Sequence, residues 1–543
     1  MNRGIASTAR VATSSGSPGW MLAVLMAVMV LFAPATAMAG QHRDTALEAQ
    51  LLATMKVLAS DDFMGREPGT EGEARTLRWL GQTWFDIGLV SGTNDPAHPW
   101  FAPVTLVARA PATSTAQILY RGRWEALGPV DALMLTSGRR SLVRGAPLYF
   151  VGRDAHGIPP RAELAGRVAV LLDRLPEDAS VGRAGANTDA AVQIGANPSS
   201  HTNPQNSANP QSSDRQNALL TGGASAVLTV LDGTRNLASV AARRKRLGYA
   251  LASEALGGDL EGFVTAEAMD RLLAPGRSSL AALESEADRP GFAPHLLELT
   301  ANLEATTSET TIHTHNLIGK LPGRHPATGA VLLLAHWDHF GICAQPPAEH
   351  LICNGAIDNA SGVAALTEIA RRLAKGGRMD RDVYFLSTTA EELGLLGAEA
   401  FAENPPLPLN SIVAAFNLDS VAIAPAGTAV GIVGKGMTGL EKGILQVARA
   451  QQRRVSDSTA PNAYIGRQDG WVLLHHDVPT VMITSAYGEI ARLEHFFDTD
   501  YHRPSDVVKP GIELGGAAQD VALHVALVHW FADAHNYPAA AGG

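Results

Sequence analysis

The sequence predicts an α/β protein: a mixed, largely parallel sheet flanked by helices, interrupted by a β-rich insert. Three observations predict it. First, short apolar runs recur after residue 308: VLLLA (331–335), VYFLSTT (383–389), IVAAFNLD (412–419) and TVMITS (480–485). Second, segments with helical periodicity separate them, such as GVAALTEIARRLAK (362–375), apolar at Val363, Leu366, Ile369, Ala370 and Leu373. Strands alternating with amphipathic helices build parallel sheets. Third, between about 100 and 180 the rhythm is of short strand-like runs, including TLVARA, AQILYRG, PLYFVG and RVAVLLD. A chain of 543 residues is too long for one small core, so at least two domains are expected.

The N-terminus reads as an export signal over 1–39. Arg3 and Arg10 precede an apolar run, Trp20–Ala33, and the small-residue triplet Ala37-Met38-Ala39 stands before Gly40. Fourteen apolar residues are short against the ~20 of a spanning helix, so cleavage after Ala39 is expected rather than anchoring. The remaining chain is then exported, to the periplasm or the medium, with no stable membrane insertion. The net charge of −10 offers no basic surplus to neutralise phosphates, which argues against nucleic acid as a partner.

The next elements follow in order. Residues 44–58 and 72–89 have helical spacing, and DDFMGREPGTEG between them is a loop by its glycines, proline and charges. The stretch 187–217, rich in Asn, Ser, Gln and Pro, is expected to be disordered. SAVLTVLDG (225–233) is strand-like and TAEAMDRLLA (265–274) helix-like. The two cysteines, Cys343 and Cys353, share one loop, GICAQPPAEHLICNG. In an exported chain that predicts a local disulfide, and the ten-residue spacing fits no usual zinc-thiolate pattern.

The chemistry gathers where the apolar strands end. VLLLA runs into His336-Trp337-Asp338-His339, VYFLSTTA into Glu391-Glu392 and IVAAFNL into Asp419. Asp358 lies in NGAIDNASG at the start of a helix, and His502 in DTDYHRPSD. Open α/β sheets bind ligands at the carboxyl ends of their strands. Imidazoles with Asp and Glu make a nitrogen and oxygen ligand set suited to Zn²⁺. Several carboxylates at one place suggest two ions, since one carboxylate can bridge a pair ~4 Å apart. Cations there would also offset the repulsion of adjacent glutamates.

AHWDHFG, NGAIDNASG, TAEELGLLG, FNLDS and DYHRPSD, in this order, resemble the bacterial secreted di-zinc aminopeptidases, zinc exopeptidases related to leucyl aminopeptidase. The likeness is strong over roughly 308–515, and SDDFMGREPGTEGE is similar to that family's entry segment. The stretch from PLYFVG through GASAVLTVLDG resembles a protease-associated domain inserted in the catalytic fold. The implied layout is a signal peptide (1–39), a first catalytic part (40–140), the insert (141–295) and the main catalytic part (296–543).

The resemblance also implies roles and a peptide substrate. Asp358 bridges two zinc ions per chain; His336 and Asp419 complete one site, and Glu392 and His502 the other. Glu391 is general base toward the attacking water and then acid toward the leaving amine. Asp338 hydrogen-bonds His336, Tyr501 is a donor to the oxyanion, and His339 is structural. Arg503 and Asp506 orient the His502 loop. His475, His476, His524, His529 and His535 have surface, capping or packing roles. The chain departs from the pattern at IGRQDGWVLL, where relatives carry Ser-Asp-His or similar, which leaves side-chain preference open; Trp471 is a candidate pocket residue. Three alternatives stand beside an aminopeptidase. One is a carboxypeptidase of the same fold, for which Arg467 and Arg492 are the nearby basic residues. The others are a single-zinc glutaminyl cyclase and a non-enzymatic binding relative.

Overall fold

The computed structural model describes residues 43–153, 157–173, 210–232, 236–244, 248–254 and 257–538. The signal-like segment 1–39 and residues 187–209 of the expected disordered stretch lie outside them.

Four parallel strands occupy the middle of the catalytic sheet: Thr480–Thr484, Ile412–Asn417, Ala330–His336 and Asp382–Thr388, side by side in that order. Antiparallel strands flank them, Gly431–Val433 on one side and the end of His295–Leu321 on the other. The period-2 alternation of a strand explains why VLLLA is apolar throughout. Val331, Leu333 and Ala335 join one core, with the helices Thr45–Leu58, Glu71–Ile87, Gly362–Ala374 and Gly515–Phe531. Leu332 and Leu334 join another, with Phe401 and Leu473 from the helices Leu396–Glu403 and Gly470–His475. Both faces are covered, as parallel strands require.

A second part of the same sheet has its own core. Strands Arg140–Gly152, Val168–Leu172, Ala226–Val230 and Leu260–Val264 run parallel, and Ala132–Thr136 closes the edge antiparallel. This core also draws in Ala116, Ile118, Ala132 and Met134, and Leu299 to Ala305, so it reaches beyond 141–295 at both ends.

The two parts are joined by a long ribbon. TLVARA and AQILYRG are not separate strands but one, Phe101–Tyr120, paired along its length with His295–Leu321. Pro111, the natural break between them, sits at a register shift opposite Thr307. A bulge tolerates the missing N–H, so the strand continues through the proline.

A helix, Pro210–Thr221, takes the last eight residues of the stretch expected to be disordered. Its polar residues are buried because they find partners: Arg215 donates to the Val151 carbonyl at 3.3 Å and Gln216 to the Thr229 hydroxyl at 2.6 Å. Cys343 and Cys353 form a disulfide across the short hairpin of Gly341–Ile342 and Ile352–Cys353. Among the described residues no helix is long and apolar enough to cross a membrane.

Candidate metal centre

His336 is the last residue of its strand, and Asp419 follows Ile412–Asn417 by two residues. Glu391 and Glu392 stand on the turn after Asp382–Thr388. Asn316 shapes that turn, its side chain accepting from the Thr389 amide at 2.9 Å and donating to the Gly397 carbonyl at 2.7 Å. Gly397 must be glycine, because a Cβ there would lie 2.0 Å from the Thr389 carbonyl. Asp358 is brought in by the turn before helix Gly362–Ala374. Asn359 ties this turn to the Asp419 strand, donating to the Leu418 carbonyl at 3.0 Å and accepting from the Gly362 amide at 2.9 Å.

These residues converge. His336 Nε2 is 3.2 Å from Asp358 Oδ1, 3.7 Å from Asp419 Oδ1 and 4.0 Å from Glu391 Oε2. The other oxygen of Asp358 is 3.3 Å from His502 Nε2, which is 3.0 Å from Glu392 Oε2. Asp358 thus stands between two imidazoles, one on each side. Donor atoms of His336, Asp358 and Asp419 lie close enough together to hold an ion, as do those of His339, Asp358 and Glu392.

The donor set fits metal ions. The Nε2 atoms of His336, His339 and His502 are buried without a hydrogen bond, and carboxylate oxygens face those of His336 and His502. Orphaned buried polar atoms of this kind are costly. Two ligand atoms each ~2.0–2.1 Å from a tetrahedral zinc stand about 3.3 Å apart, close to the observed separations.

His339 carries a larger part than the structural one expected of it. Its Nδ1 lies 2.5 Å from Glu392 Oε1, so His339 and His502 flank Glu392, one at each oxygen. Asp338 stands beside His336, its carboxylate 3.7 Å and its backbone carbonyl 3.3 Å from Nδ1. The carboxylate also receives the amides of Glu391 and Glu392. Asp506 ties the His502 loop to the Asp358 turn, its carboxylate accepting from the amides of Ile357 at 2.9 Å and Asp358 at 3.1 Å. Arg503 does hold its own loop, donating to the Asp498 carbonyl at 2.6 Å. Tyr501 stacks on the His502 ring at 3.6 Å. Trp471 meets the exposed His475 edge-on at 4.0 Å.

The loop Arg66 escaped notice in the sequence because a charge in a glycine-rich loop usually reads as solvated. It is 1% exposed. Its guanidinium donates to the carbonyls of Leu58, Trp337, Asn354 and Gly355 at 2.6–3.0 Å. Trp337 adjoins His336, and Gly355 begins the turn to Asp358, so one side chain fixes both segments. Gly355 has φ +54° and no room for a Cβ, which would lie 2.2 Å from the Asp358 carbonyl.

The electrostatics separate the two glutamates. Burial pushes Glu391 well above the usual carboxylate range, and Glu392, Asp469 and Asp419 add to it against His336. Glu392 falls to about 2, because His502 and His339 outweigh its burial and Asp358. Burial also raises Asp469 to about 7; this carboxylate accepts from the Thr388 hydroxyl beneath the glutamate turn. Without cations, then, the surroundings favour the proton on Glu391 and the charge on Glu392. Positive ions beside Glu391 would draw its pKa down.

The α/β sheet presents imidazoles and carboxylates at the carboxyl ends of its parallel strands, the place and the donor types of a metal site. Residues 316–526, the segment that carries this centre, match the model of Peptidase family M28. Aminopeptidase YwaD of Bacillus subtilis (strain 168) is 34% identical over 126 residues, 23% of this chain. The match spans 25% of that relative's length. Among solved structures, an aminopeptidase from Aneurinibacillus sp. strain AM-1 is 18% identical, with 89% of this chain and 93% of that one covered at a TM-score of 0.48. The glutaminyl cyclase of Porphyromonas gingivalis is 20% identical, with 40% and 77% covered at a TM-score of 0.31.

Proposed function

We propose that this chain is an exported aminopeptidase that removes N-terminal residues from peptides with two zinc ions and a glutamate general base. The observation that carries the reading is the pair of orphaned Nε2 atoms, of His336 and His502, turned toward Asp358, Asp419 and Glu392. His336 and Asp419 would hold one ion and Glu392 and His502 the other, with Asp358 between them; His339 stands ready as a further nitrogen donor beside Glu392. Bound zinc supplies Lewis acidity and lowers the pKa of water from 15.7 to about 7. Glu391 accepts the proton of the attacking water and returns it to the departing amine. Asp338 holds the backbone of both glutamates in place for this. Tyr501, packed on His502, is the donor to the oxyanion.

Export is supported by the signal-like segment 1–39 and agrees with a disulfide in the fold. In this reading the protease-associated-like insert is built on the second core, together with strands from either side of it. Hydrolysis of leucine anilide, lost with a chelator and restored by zinc, tests the activity. Two zinc ions per chain by elemental analysis separate this reading from a single-zinc cyclase, and a start at Gly40 in the secreted protein tests export. A chain that binds no metal and cleaves no aminoacyl substrate would end the proposal.

A further inference from the structure

The deeply buried arginines are held by hydrogen bonds to backbone carbonyls or to a carboxylate. Arg66 and Arg381 donate to backbone carbonyls, and Arg453 pairs with Asp520 at 2.7 Å. Arg467 is different. It is half-buried at the end of the short turn Ala460–Arg467, next to the Gln468-Asp469 pair. Its guanidinium lies over the rings of Phe497 at 5.0 Å, Tyr501 at 5.6 Å and Tyr464 at 5.9 Å. Tyr501 is its one polar side-chain partner, and no described carboxylate lies within ion-pair distance of it. A guanidinium has five N–H donors in a planar fork suited to a carboxylate. Three aromatic faces hold this one in place and leave most of that fork unused.

Its position gives the unused fork a purpose. The Tyr501 ring links it to the metal centre, for that ring is also stacked on His502. The surrounding site is otherwise acidic, with Asp358, Glu391, Glu392, Asp419 and Asp469. Carboxylates suit a substrate ammonium group, whereas Arg467 suits the opposite charge.

We infer that Arg467 is a carboxylate-binding group of the substrate cleft, selecting peptides that carry a carboxylate close to the scissile bond. The inference rests on the peptidase reading of the site. Two sources present this chemistry: an acidic side chain, and the free terminus of a dipeptide.

The test uses the zinc-loaded full chain and paired substrates. Leu-Ala against Leu-Ala-amide reads a free terminus; Leu-Glu-amide against Leu-Gln-amide, and glutamyl against glutaminyl anilide, read a side chain. We expect at least one acid form to exceed its neutral partner about tenfold in kcat/KM, mainly through KM. In Arg467→Met that ratio falls to near one, while Arg467→Lys keeps part of it. The responding pair identifies the source. No preference in the wild type, or a preference that survives Arg467→Met, overturns the inference. If no substrate is cleaved, the peptidase reading fails instead. Arg467 is then judged by calorimetry of glutarate against butyrate: a preference for glutarate that Arg467→Met abolishes supports the assignment, and equal binding ends it.

Discussion

The carboxylate of Asp338 clasps the main chain of Glu391, accepting its amide at 3.1 Å on one oxygen while the other faces the amide of Glu392 at 3.4 Å. A residue two positions from His336 therefore orients the glutamates of the neighbouring strand. Asp338→Asn replaces one acceptor by a donor that faces an amide. Turnover should fall ~10–100-fold, the usual effect of losing a group behind the ligands, while zinc content at saturating metal changes little. Elemental analysis beside kcat checks this; loss of zinc with kcat unchanged would place Asp338 on His336 instead.

The two glutamates should fail in different ways. Glu391→Gln should lower kcat by ~10²–10⁴-fold with zinc retained, the range for removing a general base. Glu392→Gln should weaken zinc binding, because it removes the ionised carboxylate between His339 and His502. Zinc titration of both variants separates the roles, and an active Glu391→Gln enzyme would refute the assignment.

Arg66 is a single cation serving four carbonyls. Arg66→Met leaves them buried without a donor, at a cost of about 3–5 kcal/mol from hydrogen bonds of this charge-assisted kind. Thermal unfolding should show it, and zinc affinity should drop as the segments carrying His336 and Asp358 loosen. Arg66→Lys should recover only part of both, since an ammonium has three donors and no planar fork. Unchanged zinc affinity in a folded Arg66→Met protein would limit Arg66 to a packing role.

His524 predicts an acid-sensitive fold. It is fully buried, with Nδ1 at 2.8 Å from the Asp520 carbonyl, and burial lowers it to about 4 from 6.5. The unfolded chain therefore binds a proton more readily. Stability is unaffected above about pH 6.5, falls as pH drops toward 4 and then levels, a total of ~3 kcal/mol. Asp520, raised by burial, acts in the opposite direction, so the comparison must isolate His524. Denaturant unfolding of His524→Leu at pH 7 and pH 4.5 should show a smaller loss than the wild type; equal losses would exonerate the histidine.

Much of this was legible in the sequence, for a physical reason. A strand buried on both faces must be apolar throughout, so a histidine or aspartate at the end of VLLLA or IVAAFNL stands out. The rest depends on contacts distant in sequence. Arg66 reads as a solvated loop charge until the carbonyls at 337, 354 and 355 surround it. His339 reads as a neighbour of Asp338 until the glutamate turn brings Glu392 against it. The helix at 210–221 lies in a composition that suggests disorder, and its buried Arg215 and Gln216 are held by partners that no local pattern reveals.

The ribbon of Phe101–Tyr120 and His295–Leu321 has a consequence for anyone trimming this protein. Excision at 141 and 295 would cut just inside the strand Arg140–Gly152 and strip the long strand of that neighbour. The outer half of the ribbon would then project as an open edge, a template for aggregation. A minimal catalytic form is better closed near Pro111 and Thr307, where the register already breaks and a short turn would leave no unpaired length behind.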